Sequence, residues 1–393
     1  MSSLIDSSIE VIAQNQASSG AYIAAPGYGT YAYSWIRDGA FVAAAMDAYD
    51  RRDSAEAFHR WVTRTIENHA HKIQRLEHRA GDSRNDRLDT LDDTTALHTR
   101  YTVEGEEGND NWGNFQLDGY GFWLSSITRH ITTSSADPEQ YHDAMNLVCR
   151  YLTLTWERPC FDCWEEYPTY RHSTTWAAIA KGLSDAGRLL NDNSAIATSD
   201  DIVKRLNDGL RPDGAMLKFV PGRTTHPSDN QPPQRTGQAI AGHERIGRLL
   251  SPAAIDGSAL LVLGSFGPFS RTHPIVSDTL RAIESSLVVD GGVHRYLDDE
   301  YYGGGLWIVL AGALACVQAS RDPQRARTTI RWIESQTDSA GNLGEQTSSD
   351  LRRPESLQPW IQRWGPPATP LLWSHAMYLL AADASPHVPP VST

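Results

Sequence analysis

The chain has 393 residues, of which 40% are hydrophobic and 21% are charged, a composition typical of globular proteins with a large apolar core. Its formal net charge of -13 disfavours nucleic acid and anionic membrane surfaces as partners, because both would repel it. The N-terminus has no basic start, and no run of about 18 apolar residues occurs, so we expect a cytoplasmic protein.

Helical periodicity recurs along the whole chain. Apolar residues spaced three and four apart predict amphipathic helices, whereas the alternation typical of strands and tight Asn-Gly turns is nearly absent. The number of periodic segments predicts an all-α protein with roughly eleven or twelve helices. The predicted helices cover 38–50, 53–67, 119–131, 137–152, 174–190, 200–209, 257–265, 274–287, 304–319, 322–336 and 370–382.

Capping signals mark the starts of three of these helices. Asp53 and Glu56 stand in the positions of a capping box, whose side chains bond free backbone N–H groups at a helix start. Asp137 and Asp322 are each followed by proline, which is favoured in the first turn of a helix. We therefore expect these three aspartates to cap helices.

The chain contains no segment typical of an interdomain linker and no internal repeat. We therefore predict a single domain over 1–393, with a Pro-rich frayed tail at roughly 384–393. Long polar segments are where binding and catalytic groups concentrate on a helical scaffold. One of them, 71–112, could close over a pocket or pack on a partner. These segments are 71–112, 158–173, 219–243, 288–303 and 338–369.

The four cysteines are too few for a disulfide scaffold in a chain of this length. Cys160 and Cys163 form a single CxxC, but no second pair and no histidine cluster follows at zinc spacing. We expect thiols in the core or in a loop, and neither a metal nor an organic cofactor.

Six short clusters combine an aromatic ring with an ionisable group and often a glycine. Aromatic faces bind the C–H faces of sugars, while Asp, Arg and Gln hydrogen-bond the hydroxyls. An isolated tryptophan usually belongs to the core, but six such clusters spread over the chain are harder to explain in that way. They are YSWIRDG (33–39), NWGNFQLDGYG (111–121), WEE (164–166), RYLDDEYYGGGLW (295–307), LGEQ (343–346) and PLLWSHA (370–376).

The ordered set of clusters resembles the signature blocks of glycoside hydrolase family 15, the glucoamylase-type inverting exo-glucosidases. The blocks run in the family's order from Tyr33 to Ala376, so the resemblance covers nearly the whole chain. It implies an (α/α)6 toroid, in which two concentric rings of helices carry the site at one mouth. The helix count predicted from periodicity agrees with that architecture.

Catalytic roles follow from the resemblance. Inverting hydrolysis needs an acid and a base about 6.5–9.5 Å apart, and adjacent glutamates would point in different directions. The resemblance implies that Glu165 is the general acid, with Trp164 as a partly apolar wall, and that Glu166 accepts a substrate hydroxyl. It places the general base at Glu345, in the GEQ block. On its own, the pair at 165–166 could equally be solvated or salt-bridged.

The resemblance also implies substrate-binding residues. Arg37 and Asp38 would bind hydroxyls of the innermost glucose, with Trp35 beside them. Arg295 would reach the same sugar, and Trp112 would pack over the acid. The remaining candidates, which could equally pack around the pocket, are Tyr33, Gln116, Asp118, Asp299, Tyr302 and Trp307.

The expected function is that of an inverting exo-acting α-glucosidase that releases β-glucose from isomaltose or short α-glucooligosaccharides. The LHTRYTVEGEEG segment and GNFQLDGYG resemble short bacterial members that cleave α-1,6-linked disaccharides. Asn114 and Phe115 replace a basic residue and a proline of fungal members, so a trehalase or a maltose-type glucoamylase stays an alternative. A sugar-binding regulatory protein would lack a catalytic carboxylate, but both Glu165 and Glu345 are present. The oligomeric state is left undetermined.

Overall fold

The computed structural model describes residues 3–81, 94–134, 136–220 and 254–385. Within these residues the chain forms thirteen α-helices and two short antiparallel strand pairs, so the predicted all-α class is confirmed. The strands are β1 (Ser34–Trp35) with β2 (Arg100–Tyr101), and β3 (Val288–Val289) with β4 (Gly292–Val293). The helices are α1 (Leu4–Gln14), α2 (Ile36–Ala48), α3 (Arg52–Asn68), α4 (Ala70–Gly81), α5 (Asp118–Ser134), α6 (His142–Thr155), α7 (Ser173–Leu190), α8 (Asn193–Asp208), α9 (Pro274–Ser286), α10 (Ile308–Ala319), α11 (Pro323–Ser335), α12 (Pro354–Trp364) and α13 (Leu372–Ala384).

Six segments pack side by side and close a ring. Helix α2 contacts α5 and α13, α5 contacts α7, and α13 contacts α10. Between α7 and α10 the ring is completed by a 3-10 segment, Gly257–Val262, which contacts both. This is the inner ring of the predicted (α/α)6 toroid. The periodicity at 257–265 therefore belongs to a 3-10 segment rather than to an α-helix.

The inner helices are apolar on nearly every side. In α10 and α13 most residues are buried, because each helix is covered both by its ring neighbours and by an outer helix. In the part of the chain that the structure describes, no helix combines the length and the apolar character needed to cross a bilayer. Burial within the protein explains why the inner helices α10 and α13 are apolar.

Each inner segment packs against an outer helix. Helices α3, α6, α8 and α11 follow their inner partners α2, α5, α7 and α10 along the chain, and α9 follows the 3-10 segment. The sixth outer helix is α1, which packs on α13 and so joins the two ends of the chain. Outer helices are amphipathic; α3 buries Phe58, Trp61 and Val62 and exposes its polar side.

Aromatic side chains from the inner segments meet at the axis of the ring. Phe41 of α2 packs against Phe122 of α5 with ring centres 4.9 Å apart, and against Phe266, which follows the 3-10 segment, at 4.6 Å. Trp373 of α13 stacks on Phe41 at 5.6 Å. These four rings, which we call the aromatic plug, fill the centre of the toroid.

Several boundaries differ from the sequence predictions. Residues 71–81 and 354–364, predicted to lie in loops, belong to α4 and α12, while α1 was not predicted. Helix α10 begins at Ile308 rather than at 304, because 303–304 has left-handed backbone angles that a helix cannot continue. Parts of three predicted loops or tails, 82–93, 221–253 and 386–393, lie outside the described residues.

The capping predictions have mixed outcomes. Asp322 caps α11 as predicted, since its carboxylate accepts hydrogen bonds from two backbone N–H groups of the first turn. Asp137 caps a 3-10 turn, Pro138–Gln140, ahead of α6. Asp53 is not an N-cap, because α3 begins one residue earlier and places this side chain inside its first turn.

Two glycines bring α5 and α7 into direct backbone contact. A Cβ atom at Gly121 would lie 2.5 Å from the carbonyl group of Ala178, and one at Gly182 would lie 2.3 Å from the carbonyl oxygen of Gly121. Neither position has room for a side chain. The pair therefore fixes the spacing of two inner helices.

We expect Gly121→Ala to destabilise the protein by about 1–3 kcal/mol, because the methyl group would push two inner helices apart. Gly264→Ala is the matched control, since a Cβ atom there meets nothing within 4 Å. The urea midpoint of unfolding measures both. Equal midpoints for the two variants would contradict close packing at this helix contact.

Candidate active site

A pocket opens at the end of the toroid where the inner helices begin. Its empty volume, which includes space open to solvent, is about 490 Å³. The segments that precede α2, α7, α10 and α13 supply most of its lining. The sequence-predicted residues that line it are Trp35, Arg37, Asp38, Trp164, Glu165, Arg295, Trp307 and Glu345.

Glu165 lies on a tight turn that its neighbour Asp162 organises. Asp162 Oδ1 accepts hydrogen bonds from the backbone N–H groups of Trp164 at 3.0 Å and Glu166 at 2.9 Å. Glu165 itself has a φ of 63°, in the left-handed region that is costly for a residue with a side chain. The turn holds this conformation and directs the carboxyl group of Glu165 into the pocket.

Three N–H groups converge on one oxygen of Glu165. Its Oε1 atom accepts from Trp35 Nε1 at 2.9 Å, Trp112 Nε1 at 3.0 Å and Gln116 Nε2 at 3.2 Å. Because Oε1 is an acceptor in all three bonds, a proton on this carboxyl group belongs on Oε2. The arrangement defines which oxygen can act as an acid.

Arg100 supports the two tryptophans that hold Glu165. Strand β2 pairs Arg100 with Trp35 across the short sheet. The guanidinium lies 3.9 Å from the ring centre of Trp112 and 4.0 Å from that of Tyr33, a cation–π arrangement. Tyr33 therefore contacts the support of the site and is not among the pocket-lining residues.

A buried lysine holds the Glu165 turn from behind. Lys218 pairs with Asp162 Oδ2 at 3.0 Å and with Asp256, whose Oδ1 accepts from Trp164 Nε1 at 3.0 Å. Burial opposes the positive charge, but the two aspartates outweigh it and raise the pKa of Lys218. The turn is thus tied to the start of the 3-10 segment Gly257–Val262, whose N-cap is Asp256.

Glu166 lies behind the pocket wall. Its side chain is 1% exposed, with Oε1 3.1 Å from Arg295 Nη1, and Oε2 accepts a hydrogen bond from Tyr296 at 2.8 Å. Asp299 accepts from Arg295 Nε at 2.7 Å. Glu166 is therefore not among the pocket-lining residues, and Glu166 and Asp299 together hold the guanidinium of Arg295, which does line the pocket.

Glu345 is held by two tyrosine hydroxyls. Tyr301 donates to Oε2 at 3.0 Å and Tyr31 donates to Oε1 at 3.4 Å. Burial raises the pKa of Glu345 to about 7, and the bond from Tyr301 partly opposes this rise. A carboxylate whose pKa lies near neutrality is suited to take up a proton during a reaction.

Arg37 and Asp38 stand in the first turn of α2. Arg37 Nη1 donates to Gln116 Oε1 at 2.9 Å and lies 3.4 Å from Asp118, while its Nε lies 3.2 Å from Asp38. The ring of Trp373 lies against the guanidinium, 5.1 Å away. Burial raises the pKa of Asp38 to about 6. These groups present hydrogen-bonding atoms to one side of the pocket.

Gln116 links the two halves of the site. Its amide oxygen accepts from Arg37, and its amide nitrogen donates to Glu165. Gln116 is fully buried and does not line the pocket, so its role is to position the two charged groups. The sequence-predicted residues outside the lining are Tyr33, Trp112, Gln116, Asp118, Glu166, Asp299 and Tyr302.

Two pocket tyrosines were missed in favour of their neighbours. Tyr302 was predicted to bind substrate. Its hydroxyl instead forms a hydrogen bond with that of Tyr28 at 2.8 Å, in an adjacent aromatic groove. The backbone of Tyr302 has a φ of 48°, which turns the chain there. Tyr301 faces Glu345 instead, as does Tyr31 rather than Tyr33. No local pattern separates neighbouring tyrosines. The lining residues that were not predicted as site residues are Ala24, Tyr31, Cys163, Tyr301, Leu371 and Trp373.

The thiols agree with the sequence prediction. All four cysteines are free, and Cys149, Cys160 and Cys163 are buried. Burial raises the pKa of Cys163 well above its ordinary value, so the thiol in the pocket wall is protonated.

Comparison with known proteins identifies the family. The family model described as glycosyl hydrolases family 15 matches residues 1–336, which are most of the chain. The chain belongs to glycoside hydrolase family 15. The matched range includes Glu165 but ends before Glu345, which the fold brings into the same pocket.

Related members of family 15 support this assignment. An isomaltose glucohydrolase from Kribbella flavida is 34% identical over 386 residues, which cover 97% of this chain and 92% of that protein. A glycosidase solved with glucose is 33% identical, with a TM-score of 0.84 over 97% of this chain and 96% of that one. A glucoamylase from Saccharomycopsis fibuligera, 15% identical, shares the fold with a TM-score of 0.69 over 97% and 94% of the two chains. This family 15 member is a glycoside hydrolase.

We expect Tyr301→Phe to move the acidic limb of the pH–activity profile upward. Burial raises the pKa of Glu345 to about 7, so, with Glu345 as the base, we expect activity to fall as pH drops through that value. Loss of a hydrogen bond to the ionised form raises the pKa further, by roughly one pH unit. The measurement is kcat/KM against pH. Tyr302→Phe is the matched control and should leave this limb in place; an unshifted limb in Tyr301→Phe would contradict the assignment.

We expect Lys218→Met to destabilise the protein by about 3–5 kcal/mol, because it leaves two buried aspartates without their cation. The turn of Glu165 should lose order, so kcat should fall more than KM rises. Urea unfolding and steady-state kinetics measure the two effects. Lys181→Met is the control, since Lys181 forms a half-exposed pair with Asp185 worth under about 1 kcal/mol. Similar losses in both variants would rule out a special role for Lys218.

Proposed function

We propose that this enzyme is an inverting exo-acting α-glucosidase that releases β-glucose from the non-reducing end of isomaltose or short α-glucooligosaccharides. The observation that carries the proposal is that Glu165 and Glu345, far apart in sequence, line one pocket and are held by separate sets of partners. Acid–base hydrolysis of a glycoside requires two carboxyl groups that face the same pocket.

Glu165 acts as the general acid. Its Oε2 atom carries the proton and gives it to the glycosidic oxygen as the bond to the anomeric carbon breaks. The carboxylate that is left keeps its three N–H donors on Oε1, and such charge-assisted bonds stabilise it. The leaving sugar therefore departs as a neutral alcohol.

Glu345 acts as the general base. It takes a proton from a water molecule that attacks the anomeric carbon on the face opposite the leaving group, so the configuration inverts and an α-linkage yields β-glucose. After the reaction Glu345 is protonated and Glu165 is ionised. Exchange of protons with solvent after product release restores the starting state.

The remaining lining groups select a sugar end. Arg37, Asp38 and Arg295 offer donors and acceptors for hydroxyls, while Trp35 and Trp164 offer aromatic faces. A pocket that Trp373 of the aromatic plug lines at its inner end suits the end of a chain rather than its middle. These features support exo-action.

The choice of isomaltose rests on the relative named isomaltose glucohydrolase, which is similar over nearly the full length of both chains. Isomaltose and short α-glucooligosaccharides are the substrates we propose. Maltose-type glucoamylase and trehalase activities use the same acid and base, so a panel of isomaltose, maltose and trehalose distinguishes them.

A proton NMR time course with isomaltose tests the proposal. The reducing-end glucose of isomaltose leaves as its existing mixture of anomers, so the glucose freed from the non-reducing end should appear as an early excess of β-glucose over that mixture, before mutarotation. An early excess of α-glucose over that mixture would exclude inversion. Absence of glucose from isomaltose, with glucose formed from maltose or trehalose, would overturn the substrate and keep the mechanism.

Variants of the two carboxyl groups test their roles separately. Glu165→Gln should lose about 10²–10⁴-fold in kcat on isomaltose but much less on α-glucosyl fluoride, whose leaving group needs no proton. Glu345→Gln should lose activity on both substrates, because water still needs a base. Equal losses on both substrates for Glu165→Gln would contradict the acid role, and near-normal turnover in Glu345→Gln would contradict the base role.

A further inference from the structure

Three ionisable side chains meet at the end of the toroid away from the pocket. Asp47 lies in the last turn of α2, His59 in α3 and His130 in α5. One nitrogen or oxygen atom from each lies within 4.8 Å of the other two. Asp38, at the pocket, and Asp47 are nine residues apart on α2, so roughly 13 Å of helix separates the trio from the pocket.

The trio is buried and its imidazole nitrogens are incompletely bonded. His59 is 0% exposed and His130 1% exposed. His130 Nδ1 lies 3.0 Å from both carboxylate oxygens of Asp47. Among the described residues, neither ring nitrogen of His59 nor Nε2 of His130 has a hydrogen-bond partner. A buried polar atom without a partner is destabilising, so such atoms usually meet a water molecule or an ion.

The donor groups of the trio suit a metal ion. An imidazole coordinates a metal through a ring nitrogen that carries no proton. The carboxylate of Asp47 supplies a negative charge against the same ion.

The spacing of the rings suits one ion. The ring centres of His59 and His130 are 5.0 Å apart, and their planes are inclined by 45°. Two imidazoles on one tetrahedral zinc ion, with Zn–N bonds of 2.0–2.1 Å, place their ring centres roughly 5 Å apart. Two imidazoles with one carboxylate match zinc and similar transition metals, whereas calcium and magnesium prefer oxygen ligands.

We propose that Asp47, His59 and His130 bind a divalent transition-metal ion of the zinc type that joins α2, α3 and α5. Water completes the four-coordinate shell. The ion lies away from Glu165 and Glu345, so its role is structural and does not depend on the proposed glucosidase activity. It would tie two inner helices to an outer helix at the end of the toroid opposite the pocket.

Metal content tests the proposal directly. Untagged protein is produced in zinc-supplemented cells, passed over a chelating resin and analysed by mass spectrometry of its metals. We expect about one zinc ion per chain. Refolding with cobalt(II) in place of zinc should produce the visible absorption of a tetrahedral site.

Matched variants locate the ion. His59→Gln and Asp47→Asn should each lower the metal content by about tenfold or more. His142→Gln removes an exposed histidine of α6 and should keep it, which excludes surface binding. If His59→Gln does not fold, the metal content of Asp47→Asn tests the proposal. Asparagine keeps the size and one hydrogen-bonding oxygen of the aspartate, so this variant should fold.

Two results would overturn the proposal. Wild-type protein that carries far less than one ion per chain, and takes up neither zinc nor cobalt on refolding, would mean that water satisfies His59. Unchanged metal content in both Asp47→Asn and His59→Gln would place the ion elsewhere. Loss of the ion should also lower the thermal midpoint of the wild type but not that of Asp47→Asn.

Discussion

The burial of charge at the pocket is the constraint on which the rest of the site depends. The charged residues there are all less than a tenth exposed, and each has specific partners within the protein. Several of those partners come from other helix starts, so the closed ring is needed to bring them together. The toroid is therefore the means by which several buried charges can share one small volume. These residues are Arg37, Asp38, Glu165, Glu166, Arg295 and Glu345.

The two carboxyl groups differ in the chemistry of their partners. Glu165 is held by indole and amide N–H groups, which can only donate, so Oε1 stays an acceptor throughout a reaction. Glu345 is held by tyrosine hydroxyls, which can donate or accept. Glu345 can therefore gain a proton without losing its partners. This difference gives a physical reason for one group to serve as acid and the other as base.

The sequence predicted the features that depend on periodicity and order. The all-α class followed from helical periodicity, whereas the closed ring was predicted from the order of the six clusters through their resemblance to family 15. The sequence could not predict which side chain of a local turn faces the pocket. Tyr301 and Tyr302 are adjacent and chemically identical, and only the backbone angles decide which one contacts Glu345. The trio at 47, 59 and 130 was equally hidden, because its members come from three helices and show no ligand spacing. The pairing of Glu166 with Arg295 was not foreseen either, because nothing in WEE indicates which cation lies beside it.

The aromatic plug has a consequence for how molecules move through the enzyme. Phe41, Phe122, Phe266 and Trp373 contact one another at the inner end of the pocket, and Trp373 also lines it. Under the proposed function, a sugar that enters leaves through the same opening, so the shortened chain withdraws before the freed monosaccharide escapes. An enzyme of that kind releases both products after each cut instead of sliding along the chain.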